Sequence, residues 1–142
     1  MNLQPSTLNP SAKMGSINKF EDLEIWQLAR QQANELWEIY CAGTFGKDYE
    51  LRNQICRSSG SVMDNIAEGF ERSGNKEFIH YLIISKASNG EVRSQLYRAF
   101  DRLHIDNDGF QNLHLKCETI SKKITSFIKY LKSSDMKGFR YS

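Results

Sequence analysis

Glu77 and His80 stand three positions apart, a spacing that puts a carboxylate and an imidazole on one face of a helix. Two such Glu-x-x-His pairs, joined by two further inward carboxylates, hold the two metals of a di-iron helical bundle. The nearest second pair here is Gln111 with His114, and a glutamine amide is a poor substitute for a bridging carboxylate. Glu68 and Glu91 would complete a small metal or acid–base set with Glu77 and His80, a reading held as the third alternative. The three cysteines, Cys41, Cys56 and Cys117, are far apart, odd in number and without a C-x-x-C pair. They read as small core residues in a reducing compartment. No Walker loop, dinucleotide fingerprint or local Ser/His/Asp or Cys/His motif occurs in the chain. The expectation is a protein that is not an enzyme, with no cofactor, no metal site and no catalytic residue.

Cations offer the other chemistry. Arg93, Arg98, Arg102, Lys116, Lys122, Lys123 and Lys129 are the candidate contacts to a nucleic acid. The lysines among them read first as a solvated helix face and second as a phosphate-contacting strip. A net charge of +2 does not announce a nucleic-acid binder. The charge is uneven, however: residues 19–42 carry two basic against five acidic side chains, and residues 106–142 carry seven basic against four acidic. Such a gradient suits surfaces that pair between copies of the chain better than a phosphate groove. No apolar run approaches the roughly 20 residues that span a bilayer, so no membrane is expected. The first residues lack the basic start and apolar core of a signal peptide, which makes the cytoplasm the expected compartment.

These side chains must be positioned by helices. Both prolines, Pro5 and Pro10, precede the patterned part of the chain, so nothing after them forbids long helices. Residues 1–18 are polar and read as a disordered N-terminal arm, 19–133 as the bundle, and 134–142 as a flexible tail, frayed or partner-binding. A first helix is expected from about Asp22 to Cys41 with the stripe Trp26, Ala29, Ala33, Leu36/Trp37 and Tyr40, its end marked by the glycines of Ala42-Gly43-Thr44-Phe45-Gly46. Phe45 should fold back on the bundle. A second helix should run from about Asp48 to a glycine stop at Gly69, and a third from Asn75, capped by Ser73 or Gly74, to Leu103. The fourth, from about Asp108 to Lys132, carries a heptad of Phe110, Leu113, Cys117, Ile120, Ile124, Phe127 and Leu131. Short connections between four amphipathic helices give an all-α, antiparallel up-down-up-down four-helix bundle. Small residues on the middle helices (Ser58, Ser59, Gly60, Ser61, Ser85, Ala87, Ser88, Gly90) predict close backbone approach there, and Gly90 in particular predicts tight packing or a kink.

The middle of the chain holds its most distinctive run, Ser61-Val62-Met63-Asp64-Asn65-Ile66-Ala67-Glu68-Gly69, followed by Arg72, Ser73 and Lys76-Glu77-Phe78. Asn65 and Glu68 are expected to close the junction of the second and third helices, with Arg72 as charge partner. Together with Phe20-Glu21-Asp22-Leu23-Glu24-Ile25-Trp26-Gln27-Leu28-Ala29, with Leu51, Gln54, Ile55 and Arg57, and with Ser88, Glu91 and Leu96, this run resembles the 23S rRNA-intervening sequence protein family. The resemblance implies a bundle of four antiparallel helices assembled as a ring-like homopentamer. It marks Gln54, Arg57, Asn65, Glu68, Gly69, Arg72 and Glu91 as family-motif residues of structural role. The family takes its name from reading frames inside insertions in bacterial 23S rRNA genes. Relatives act as accessory proteins of diversity-generating retroelements, where a pentamer binds a reverse transcriptase and nucleic acid. This chain departs from those basic relatives in its net charge of +2, and from the family pattern at Ser58-Ser59-Gly60.

Two functions therefore compete. The first is a non-enzymatic oligomeric scaffold or accessory protein whose partner is RNA or a protein of an RNA-handling complex. The second is a purely protein-binding homo-oligomer without nucleic acid, its acidic and basic helices pairing between subunits.

Overall fold

The structure, a computed structural model, describes residues 17–136. Four α-helices, with no strand among the described residues, form a four-helix bundle: α1 Glu24–Tyr40, α2 Tyr49–Glu71, α3 Asn75–Asp101 and α4 Asn107–Met136. Short 3-10 turns, Phe20–Asp22 and Phe45–Lys47, precede α1 and α2. Each helix packs on its neighbours in sequence, and α1 closes the ring against α4. Cross-links descend in opposite register, with Ser61 against Ser88 and Gln54 against Arg98 on α2–α3, and Glu24 against Lys123 and Glu35 against Lys116 on α1–α4. Adjacent helices are thus antiparallel, as their short connections require.

The core is built from apolar residues at helical spacing on α2, α3 and α4, the last of them following its expected heptad throughout. Leu51, Ile55, Val62 and Ile66 of α2 meet Phe78, Leu82, Val92 and Leu96 of α3 and the whole α4 heptad. Phe45 is fully buried, folded back from its loop onto the ring of Tyr40 at 5.9 Å. On α1 the buried stripe is Ile25, Ala29, Gln32, Leu36 and Tyr40, rotated from the expected one. Trp26 packs at the rim, edge-on to Phe20 at 5.2 Å with the Arg30 guanidinium over its ring at 5.7 Å. Trp37 is 58% exposed, so the helix buries its smaller residues and leaves the second indole outside.

Three further expectations are corrected. Gly69 does not stop α2, which runs on to Glu71. Instead it lets α3 approach: a Cβ there would lie 2.8 Å from Cβ of Tyr81 and 2.9 Å from Cδ1 of Phe78. Gly90 and Ala87 are exposed rather than packed, and a Cβ at Gly90 would meet nothing within 4 Å. Cys41 and Cys56 are exposed; Cys117 alone is the small core residue expected. The outer limits also shift. Ile17, expected in the arm over 1–18, is buried in the core, and α4 carries the fold past 133 to Met136 with Ser134 buried. The rest of that arm, 1–16, and of the tail, 137–142, lies outside the described residues.

Candidate functional site

The α2–α3 corner gathers part of the distinctive run. The Arg72 guanidinium donates from Nε to Oε2 of Glu68 at 2.9 Å and from Nη2 to the Tyr81 hydroxyl at 2.8 Å, lying over the Tyr81 ring at 5.1 Å. This pairing of Glu68 with Arg72 was foreseen, and Gly69 beneath it sets the separation of the two helices. Asn65 does something else. Its Nδ2 donates back along α2 to the carbonyl and hydroxyl of Ser61, both at 2.9 Å, and the Ser61 hydroxyl meets that of Ser88 at 2.8 Å. With Ser85 donating to the Val62 carbonyl at 2.7 Å, short hydroxyls satisfy polar groups between α2 and α3. Gln54 lies two turns away, accepting from Nη1 of Arg98 at 2.8 Å, while Arg57 and Glu91 are exposed and join neither group. The other motif residues lie along the α2–α3 packing seam and form no single pocket.

The candidate cations divide. Arg98 also faces Glu50 at 3.8 Å, Arg102 pairs with Asp48 at 2.8 Å, and Lys116 and Lys123 reach Glu35 and Glu24 of α1, each at 3.2 Å. Arg93, Lys122 and Lys129 are exposed and make no ion pair with the described residues. The acidic first helix and basic last helix thus spend much of their complementarity on each other within one chain. The metal pairs separate as well: His80 sits near the start of α3 and His114 near the start of α4, opposite ends of an antiparallel pair. Among the described residues no group of three or more His, Cys, Asp or Glu could hold a metal.

Two constellations had no local signature. Gln32, fully buried on α1, donates from Nε2 to Oδ1 of Asn89 at 3.3 Å and to Sγ of Cys117 at 3.1 Å. Asn89 donates in turn to the Cys117 carbonyl at 2.7 Å, so three helices share one buried polar layer. Burial pushes the Cys117 thiol up to about 12, which makes it inert near neutral pH. Gln32 is visible in sequence only as a polar residue at core spacing between Ala29 and Leu36.

The second lies where the α1–α2 and α3–α4 loops meet. Asp48 caps α2, Oδ1 accepting from the Leu51 amide at 3.3 Å, while Oδ2 accepts from Nη1 of Arg102 at 2.8 Å and faces Nε2 of His104 at 2.9 Å. The hydrogen bond from His104, then that from Arg102, holds the Asp48 carboxyl down at about 2. Nδ1 of His104 faces the Thr44 hydroxyl at 2.8 Å, and its ring stacks on Phe45 at 5.2 Å. The end of α3 delivers His104: the amides of Leu103 and His104 return to the carbonyls of Phe100 and Ala99, a Schellman motif with Leu103 left-handed at φ 63°. Only the capping role of Asp48 could be anticipated, since its partners lie more than fifty residues away.

No helix among the described residues is long and apolar enough to cross a membrane. No curated protein matches the chain. Among solved structures, it is similar to a protein of unknown function from the S23 ribosomal protein family of Bacteroides thetaiotaomicron VPI-5482. The two are 20% identical with a TM-score of 0.67, over 74% of this chain and 98% of that one. The model of the 23S rRNA-intervening sequence protein family matches residues 21–126, from the turn before α1 through most of α4. That span takes in the Asn65–Gly69 run, its Glu68–Arg72 lock and the α2–α3 seam, and the chain belongs to the 23S rRNA-intervening sequence protein family.

Proposed function

We propose that the protein is a non-enzymatic scaffold or accessory protein of the cytoplasm that assembles as a homo-oligomer and presents protein-binding surface to an RNA-handling complex. One observation carries this reading: α3 shows large apolar side chains outside the core as well as within it. Its inner face fills the core, while outward it shows Ile83 at 54% exposure, Ile84 at 36% and Tyr97 at 49%, with Ala87 and Gly90 between them. Leu115 of the neighbouring α4 is 62% exposed. A helix exposing large apolar residues along a stripe marks an association surface. Five copies in a ring is the assembly that the family resemblance implies.

Sedimentation at micromolar concentration tests this. Multimers that dissociate in an Ile83→Glu, Ala87→Glu variant support it, and a monomer throughout the range would end it. Direct RNA contact is the second reading, favoured by Arg93, Lys122 and Lys129. Anisotropy of fluorescent structured RNA, followed from 50 to 200 mM salt, separates the two. Phosphate contacts through these three cations would contribute about −2.7 to the log–log slope, at roughly −0.9 per duplex phosphate. Loss of that slope in a triple alanine variant would establish the contact. No binding at low salt would leave protein partners alone.

A further inference from the structure

We propose that Thr44 is an acyl-acceptor site, a hydroxyl nucleophile activated by His104 that takes an acyl group from an activated ester or acyl phosphate. The tautomer of His104 follows from its neighbours. Asp48 is a carboxylate held ionised by Arg102, and a carboxylate only accepts. Nε2 of His104, 2.9 Å from Oδ2 of Asp48, must therefore carry the proton. In the neutral ring this leaves the lone pair of Nδ1 facing Oγ1 of Thr44 at 2.8 Å, as a base ready to receive the hydroxyl proton. The ring cannot swing away, because it lies flat on the fully buried Phe45, with an interplanar angle of 8°. Hydroxyl, base and orienting carboxylate thus stand in hydrogen-bond sequence, the arrangement that activates nucleophiles. The bonds from His104 and Arg102 to Asp48 and the stacking of His104 on Phe45 already join the two loops without Thr44. Thr44, on the other ring nitrogen, is exposed and open to a donor.

The step balances without a further reagent. Oγ1 of Thr44 attacks the acyl carbon, its proton passes to Nδ1 of His104, and the carbon–oxygen bond to the leaving group breaks. The aryloxide or phosphate departs with the bonding pair, and the imidazolium returns its proton to water. The chain keeps an ester at Thr44. His104 touches the reacting atoms; Asp48 acts through it.

The test treats the full chain with p-nitrophenyl acetate and, separately, with acetyl phosphate, and reads intact mass and peptide maps. One acetyl group on Thr44 is expected in the wild type and in Thr44→Ser, and none at that position in Thr44→Val. His104→Ala should acylate at least about 100-fold more slowly, the usual scale of general-base assistance, and imidazole in the buffer should restore the rate. Reaction with only one of the two donors would identify the donor class. Acetylation confined to lysines, or unchanged at Thr44 in a folded His104→Ala, would overturn the proposal. Should His104→Ala fail to fold, unlabelled Thr44 in the wild type and in Thr44→Ser would overturn it alone.

Discussion

Leu103 is a leucine where the backbone asks for glycine. Its φ of 63° is left-handed, and its side chain is 85% exposed, so it gains almost nothing from burial. A Cβ in that region costs roughly 1–2 kcal/mol. Leu103→Gly should therefore stabilise the protein by about 1 kcal/mol in urea unfolding, after the extra unfolded-state entropy of glycine is subtracted. A loss of stability would mean that the leucine is held by something outside the described chain, such as a second copy. Asp48 is the residue that this turn serves. Its folded value of about 2 lies below the ordinary carboxylate value of 3.8. A carboxyl depressed on folding stabilises the folded state above its unfolded value, and that contribution fades as pH falls toward the folded one. The group is 19% exposed, so screening leaves about 1 kcal/mol. Unfolding free energies of wild type and Asp48→Asn should converge by that amount between pH 6 and about pH 2. A gap that stays constant with pH would show that the cap and ion pairs depend little on ionisation.

Between elements, the α2–α3 seam is the feature that glycine and serine were chosen for. Gly69→Ala would gain about 1 kcal/mol of helix propensity. It would also drive a methyl to 2.8 Å from Cβ of Tyr81, and overpacking of this kind costs typically 1–3 kcal/mol. The net expectation is destabilisation of about 1 kcal/mol in urea unfolding, with the Tyr81 hydroxyl displaced from Arg72; a stabilised variant would mean that the helices separate at little cost. The closeness of this seam could be read from small residues at helical spacing, and so could the α4 stripe, because strict apolar periodicity has one physical solution. The face of α1 could not. The large indoles of Trp26 and Trp37 draw the expected stripe toward themselves, whereas the face that meets the neighbouring helices is that of Ile25, Ala29, Gln32, Leu36 and Tyr40. Likewise Gly90 looked like a packing glycine, although periodicity alone does not say which of two small-residue faces a helix buries. The Thr44–His104–Asp48 alignment was invisible for another reason. Its members are contributed by two loops that only the closed bundle brings together.

That closed bundle is the reason the molecule carries apolar surface without a use for it inside one chain. α3 touches both neighbours and still presents Ile83, Ile84 and Tyr97 outward, and the exposed Trp37 lies on α1. A protein that binds its own copies only when folded is stabilised by mass action, so its unfolding temperature rises with concentration. The wild type should show this across a hundredfold dilution in scanning calorimetry. Ile83→Glu with Ala87→Glu should abolish the dependence while leaving the monomer folded, since both side chains are exposed and removing them opens no cavity. Heterologous contact between different faces would close a ring or grow an open filament, whereas the same face meeting itself would stop at a dimer. Lys86 and Arg93 flank Gly90 one turn to either side. Two α3 stripes facing each other would bring these cations together, and charge repulsion would oppose the dimer. A dimer that tightens at low salt would contradict that argument. Larger closed multimers are its expected outcome, with their mass set by how many copies the angle between the two faces admits.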